Sequence, residues 1–188
     1  MFSHKDPGST KSTLWYFTFR IFYAHILCII ITVALAVLLS LFQSIAGYGD
    51  MVLTLIVNIA VLIAYVFLVY RDSWGIGQHD HNRVLFDHDK YDRFKPLKAA
   101  LFSQIPGILL GIWLQFAPDS LNAIKFANFF YANFRFPIEL LWISGYRFVY
   151  LIPWLIAVIT AVIGYNNGYA QRRISEGVIF QSGSKVKK

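Results

Sequence analysis

Residues 51–70, MVLTLIVNIAVLIAYVFLVY, carry no charged side chain and a single amide, Asn58. A helix needs roughly 20 predominantly apolar residues to cross the ~30 Å hydrocarbon core of a bilayer, and this stretch supplies them. Three further runs have the same character: Ile21–Gly49, interrupted only by His25, and the charge-free Ala99–Pro118 and Phe148–Gln171. The expectation is an all-α membrane protein, a bundle of four transmembrane helices over about 21–44, 51–70, 99–118 and 148–169 of a 188-residue chain. The spans leave no length for a second folded unit, so residues 1–188 form one integral membrane domain. Composition agrees, with 57% hydrophobic and 14% charged residues, against about 45–50% and 25% in soluble domains. Met1–Thr13 is mostly polar, and the apolar run after it is too long for the h-region of a signal peptide. It reads as a retained first span.

Seventeen Lys and Arg residues give a formal net charge of +7, and their placement orients the spans. Lys5, Lys11 and Arg20 precede span 1; six basic residues lie in 71–98; five lie in the tail 170–188. The connection between spans 1 and 2 has none, and 119–147 has Lys125, Arg135 and Arg147. Short loops rich in Lys and Arg stay cytoplasmic. Both termini and a loop over 71–98 are therefore expected inside, with 119–147 outside and the cell membrane as the location. Basic residues strung along membrane flanks suit an anionic leaflet rather than nucleic acid, which requires them gathered on one solvent-exposed face. Trp15, Trp74 and Trp142 fall at span ends as interface anchors. Arg20 joins them by snorkelling to the boundary.

Two small-residue pairs, Gly107/Gly111 and Gly164/Gly168, have the Gly-x-x-x-Gly spacing that brings membrane helices into close contact. They point to packing between spans 3 and 4, where Pro106 and Pro153 predict kinks. Asn58, deep in span 2, requires a hydrogen-bonding partner on another helix. The spans contain no Asp or Glu, the groups on which ion-coupled carriers depend.

The connection 71–98 holds His79, Asp80, His81, Asp87, His88 and Asp89. Histidine and carboxylate ligands suit zinc or a similar divalent ion, which makes His79, His81, His88, Asp87 and Asp89 candidate metal ligands. The spacing matches no strong zinc motif, so the expectation is a solvated loop whose acids pair with its own Lys and Arg, with no metal and no other cofactor. The outer connection has ten aromatic residues between Phe126 and Tyr150. So aromatic a segment is expected to lie in the outer interface as an amphipathic helix, with Asn122, Lys125, Asn128, Asn133 and Arg135 toward headgroups.

Catalytic signatures are missing. His88 and Asp92 are one residue too close for an acyltransferase His-x-x-x-x-Asp, and there is no His-Glu-x-x-His, Gly-x-Ser-x-Gly or Walker-type loop. Cys28 is the only cysteine, which excludes an intramolecular disulfide. The reading is a non-enzymatic accessory or scaffold subunit of a membrane complex, held in the lipid bilayer by its spans and associated with a membrane protein partner or a second copy. The alternatives are an oligomeric channel or permease-like protein and, third, a metal- or lipid-dependent enzyme.

Overall fold

A computed structural model describes residues 10–46, 51–86, 90–116, 121–134, 138 and 152–170. Among the described residues six α-helices follow one another: α1 Thr10–Ala46, α2 Met51–Leu85, α3 Lys95–Ser103, α4 Ile105–Phe116, α5 Leu121–Phe130 and α6 Ile152–Tyr169, with a 3-10 turn Ala132–Phe134 after α5. Among the described residues the protein is all-helical. Two helices, at Leu14–Phe42 and Val52–Leu85, are long and apolar enough to cross a membrane. α3 and α4 together make a third if the pair, bent by 50°, counts as one broken span.

α2 contacts α6 more extensively than any other element, and glycine is the reason. The buried face of α2 runs Val61, Tyr65, Val69, Ser73, Gly77, Asp80, and that of α6 runs Pro153, Ala157, Ala161, Gly164, Gly168. Where the two faces cross, a Cβ on Gly164 would lie 2.7 Å from the Tyr70 carbonyl oxygen. One on Gly77 would meet the Tyr165 carbonyl oxygen, and one on Gly168 that of Trp74. Missing side chains let backbone meet backbone, and dispersion gathers at that distance. α1 packs on α2 and α3, and α3 also packs on α6, which closes the basic end of the bundle.

The two Gly-x-x-x-Gly pairs thus face different neighbours. Gly164 and Gly168 meet Tyr70, Ser73 and Trp74 of α2, whereas Gly107 and Gly111 meet side chains, chiefly Trp154 of α6. Tyr131 Oη donates to the Gly107 carbonyl at 2.8 Å and accepts from Trp154 Nε1 at 3.3 Å, so α4 and α6 touch through aromatic rings. Pro153 is the second residue of α6 as described and is buried on its packed face, and the residues before Ile152 lie outside the described residues. Pro106 follows the α3–α4 break, where the Gln104 N–H turns back to the Leu101 and Phe102 carbonyls.

Two expectations about connections change. Residues 71–85 continue α2 instead of forming a loop, because the buried stripe persists through Ser73, Gly77 and Asp80. The segment after span 3 turns inward: Tyr131, Asn133 and Phe134 are buried, and Asn133 Nδ2 lies 3.4 Å from His25 Nδ1 on α1. Phe134 and Phe130 flank the same imidazole, so Asn133 meets a buried polar group and not the headgroups. The other face of α5 keeps Leu121, Ile124, Phe126 and Phe129 exposed, as an interfacial helix would.

The α2–α6 crossing yields a contrast within one helix. Gly77→Ala drives a methyl group into the Tyr165 carbonyl and is expected to cost about 1–3 kcal/mol. Gly75, two residues earlier and about half a turn around the helix, faces open space. Gly75→Ala is expected to stabilise by up to ~1 kcal/mol, the propensity difference. Thermal unfolding of the two variants in one detergent checks the contrast, and equal melting temperatures would remove glycine contact as the basis of this interface.

Candidate functional site

Asp80 lies on the buried face of α2 with its side chain only 9% exposed. A carboxylate there must be paired and hydrogen-bonded to remain charged. Lys95 Nζ donates to Asp80 Oδ2 at 2.5 Å and Tyr165 Oη donates to the same oxygen at 2.9 Å. One atom thereby ties α2, the first residue of α3 and the last turns of α6. Lys95 is more buried than its partner, at 3%.

Local chemistry delivers Lys95 to that position. Asp92 Oδ1 accepts the Phe94 N–H at 2.9 Å, and the Lys95 N–H bonds the Asp92 carbonyl at 3.2 Å, so the chain turns just before α3. Pro96 then begins the helix with no N–H to satisfy. Asp92 Oδ2 also takes Lys98 Nζ at 3.0 Å. Partial burial pushes the Asp92 carboxyl up, but the hydrogen bonds from Lys98 and Phe94 and the charges of Lys98 and Lys95 outweigh it and hold the group below its ordinary value. Folded-state affinity for the proton is therefore lower than in the unfolded chain. The turn's contribution is present above pH about 4 and fades as the medium becomes more acid.

The cavity beside this ion pair, between Val84, Lys90, Tyr91 and Asp92, measures about 10 Å³, about enough for one water molecule. The Tyr169 ring lies against Tyr91, centroids 4.3 Å apart, and meets the His81 ring edge-on at 5.2 Å. No substrate fits there. The arrangement is a three-helix lock, and its chemistry is positional.

Of the candidate metal ligands, His79 and His81 lie among the described residues. His79 and His81, two apart on α2, diverge: His79 lies 3.8 Å from Asp80 Oδ1, and His81 turns to Tyr169. Among the described residues no three His, Cys, Asp or Glu side chains converge, and Asp87, His88 and Asp89 fall outside the described residues, as does Trp142. Of the anchors, Trp15 is exposed and stacks on Phe102 at 6.0 Å, and Trp74 is half-buried with its carbonyl against Gly168. Arg20 donates to Asp72 Oδ1 on α2 at 2.9 Å, and Arg71 reaches the same oxygen at 3.2 Å.

At the opposite end, α1 and α2 are packed far less. A groove of about 410 Å³ opens between them over a floor of Ala127, Asn128 and Tyr131. Thr32, Ala36 and Ser40 line it from one face of α1, and Thr54 and Asn58 from α2. Thr32 and Ser40 turn their hydroxyl hydrogens onto the Cys28 and Val37 carbonyls, both at 2.8 Å, leaving oxygen lone pairs as acceptors. Its lining carries amides, hydroxyls and methyl groups but no charge. Asn58, expected to bond across to another helix, is half-buried on its wall.

The ion pair gives a double-mutant test. Lys95→Met leaves Asp80 buried and uncompensated, with an expected loss of about 3–5 kcal/mol, whereas Lys95→Met with Asp80→Leu should recover most of it. Unfolding in detergent followed by tryptophan fluorescence measures both. Losses that simply add would mean that the two side chains do not act as a pair.

Set beside protein-family models, curated proteins and solved structures, the chain matches none of them, so function is argued from the residues themselves.

Proposed function

We propose that this chain is a four-span integral membrane protein of the cell membrane, with both termini cytoplasmic, and that it serves as a non-enzymatic accessory subunit by seating a partner's transmembrane helix in the α1–α2 groove. The observation that carries the reading is the polar groove at bilayer depth. From Thr32 to Ser40 it extends eight residues along α1, about 12 Å or two helical turns. A small residue every fourth position, Thr32, Ala36 and Ser40, is the pattern that admits a second backbone closely. Hydrocarbon cannot satisfy the amides of Asn58 and Asn128 on the lining, whereas an inserted helix bearing Ser, Thr, Asn or Gln can. A partner of that chemistry also suits a lining without charge.

Length supports the fourth span. α6 has 18 residues, which at 1.5 Å each reach about 27 Å, close to the hydrocarbon thickness. It falls short of the other spans in hydropathy because it ends Tyr165-Asn-Asn-Gly-Tyr169, the turns that cover Asp80 and Lys95. Topology is tested by single-cysteine labelling in a background lacking Cys28. Ser120→Cys should react with an impermeant reagent from outside and Ser182→Cys should not; the reverse pattern would invert the protein.

The partner reading is tested by a photo-crosslinking residue at Ala36 or at lipid-facing Phe67 in native membranes. Position 36 should give a protein adduct whose crosslinked peptide is a transmembrane segment with a polar residue, and position 67 lipid adducts. Ala36→Trp, which fills the groove, should remove the partner without lowering the melting temperature. An adduct with a second copy of the chain would make the groove a self-association site. Lipid adducts at both positions, or solute flux through proteoliposomes of this chain alone, would overturn the accessory reading.

A further inference from the structure

The basic end carries a second cavity, of about 580 Å³, walled by Tyr16 and Arg20 of α1 and by Arg71, Asp72, Trp74 and His79 of α2. Its volume is within the range of small-molecule sites, roughly 300–1,000 Å³. Both guanidinium groups converge on a single oxygen, Asp72 Oδ1, Arg20 at 2.9 Å and Arg71 at 3.2 Å. Two cations thus share one carboxylate, and ten N–H donors share an atom that accepts two or three. Asp80, the other acid on the wall, is already neutralised by Lys95. The cavity is left with a net positive charge and unspent guanidinium donors. Arg20 also lies 5.9 Å from the Tyr16 ring, which fixes its plane.

Position in the chain says which anion meets it. Arg20 immediately precedes the uncharged run of span 1 and Arg71 immediately follows that of span 2, so the two mark the same membrane boundary from antiparallel helices. Exposed Trp15, Tyr16 and Phe19 ring that level as an aromatic belt. A lipid phosphate lies at this depth, and Arg pairs with phosphate oxygens in bidentate fashion. We propose that Arg20 and Arg71 form a binding site for the headgroup phosphate of one acidic phospholipid, with Asp72 holding the two guanidinium groups in register. The proposal requires the chain to lie in a bilayer and does not depend on the partner helix of the opposite end.

Native mass spectrometry and thermal melting of the full chain, in phosphatidylcholine nanodiscs with or without phosphatidylglycerol, test it. One phosphatidylglycerol should be retained with a preference of about tenfold or more over phosphatidylcholine, as expected of two basic side chains at a membrane surface. Its presence should raise the melting temperature. Arg71→Gln should reduce the preference several-fold. Arg20→Gln with Asp72→Asn and Arg71→Gln, which strands no buried carboxylate, should abolish it while the protein still melts cooperatively in phosphatidylcholine. Lys125→Gln, a charge change elsewhere, should leave the preference intact. Equal retention of the two lipids, or a preference unaltered in the triple variant, would overturn the site. Stabilisation by inorganic phosphate in phosphatidylcholine equal to that by phosphatidylglycerol would overturn the lipid assignment.

Discussion

The backbone-to-backbone crossing of α2 and α6 at Gly77, Gly164 and Gly168 is the constraint on which the rest of the structure depends. In lipid the hydrophobic effect does not favour one apolar helix against another, so contact distance decides association. With α2 and α6 held at this separation, Tyr165 comes within hydrogen-bond reach of Asp80, and Lys95 at the start of α3 completes the pair. Ion pair and glycine contact reinforce each other. Without close packing the carboxylate would meet the Lys95 ammonium in a wetter and weaker setting. Without the ion pair, the last turns of α6 would lay polar residues against an unpaired buried charge.

The molecule is consequently uneven along its length. Its basic end is fastened by charge and by glycine, with Phe17, Ile21, Val69 and Tyr165 fully buried around the crossing. Toward the other end, α1 beyond Thr32 and α2 before Val61 have no buried side chain among the described residues. α5 and the turn after it supply what cover there is, by inserting Phe134 and Tyr131 between α1, α2 and α4. A tight end beside an open one is the expected form for a scaffold that must stay folded while offering a lateral surface, and it underlies the proposed helix-seating role.

Much of this was legible in the sequence, and the failures have identifiable causes. Hydropathy located the two long apolar helices, because a bilayer imposes a length that no loop can imitate. The connection 71–98 misled because its charges were weighed as composition and not as periodicity. Read at helical spacing, Val69, Ser73, Gly77 and Asp80 extend the apolar face of Val61 and Tyr65, and Asp80 falls on the buried side. Lys95 was harder to foresee. Its burial depends on the Asp92 turn and on Tyr165, seventy residues away in sequence, and no local pattern reports such a contact. The glycine pairs carried the right physics without the partner, since Gly-x-x-x-Gly marks a close contact but not the helix that fills it.

The same physics separates the enclosed polar groups from the open groove. Asp80 is spoken for: both its donors converge on Oδ2, and on the side of Val84, Tyr91 and Asp92 the space holds no more than a water molecule. His25, likewise buried, is enclosed by Asn133, Phe130 and Phe134. Groups so enclosed stabilise a fold and have little room to bind. The lining of the α1–α2 groove differs in having polar side chains and about 410 Å³ of space together. Its Thr32 and Ser40 hydroxyls are satisfied by their own helix, whereas amides such as Asn58 and Asn128 beside space in hydrocarbon would carry a desolvation cost. A second helix would relieve it with hydrogen bonds and dispersion at once, which is the physical basis of the seating proposed for the groove.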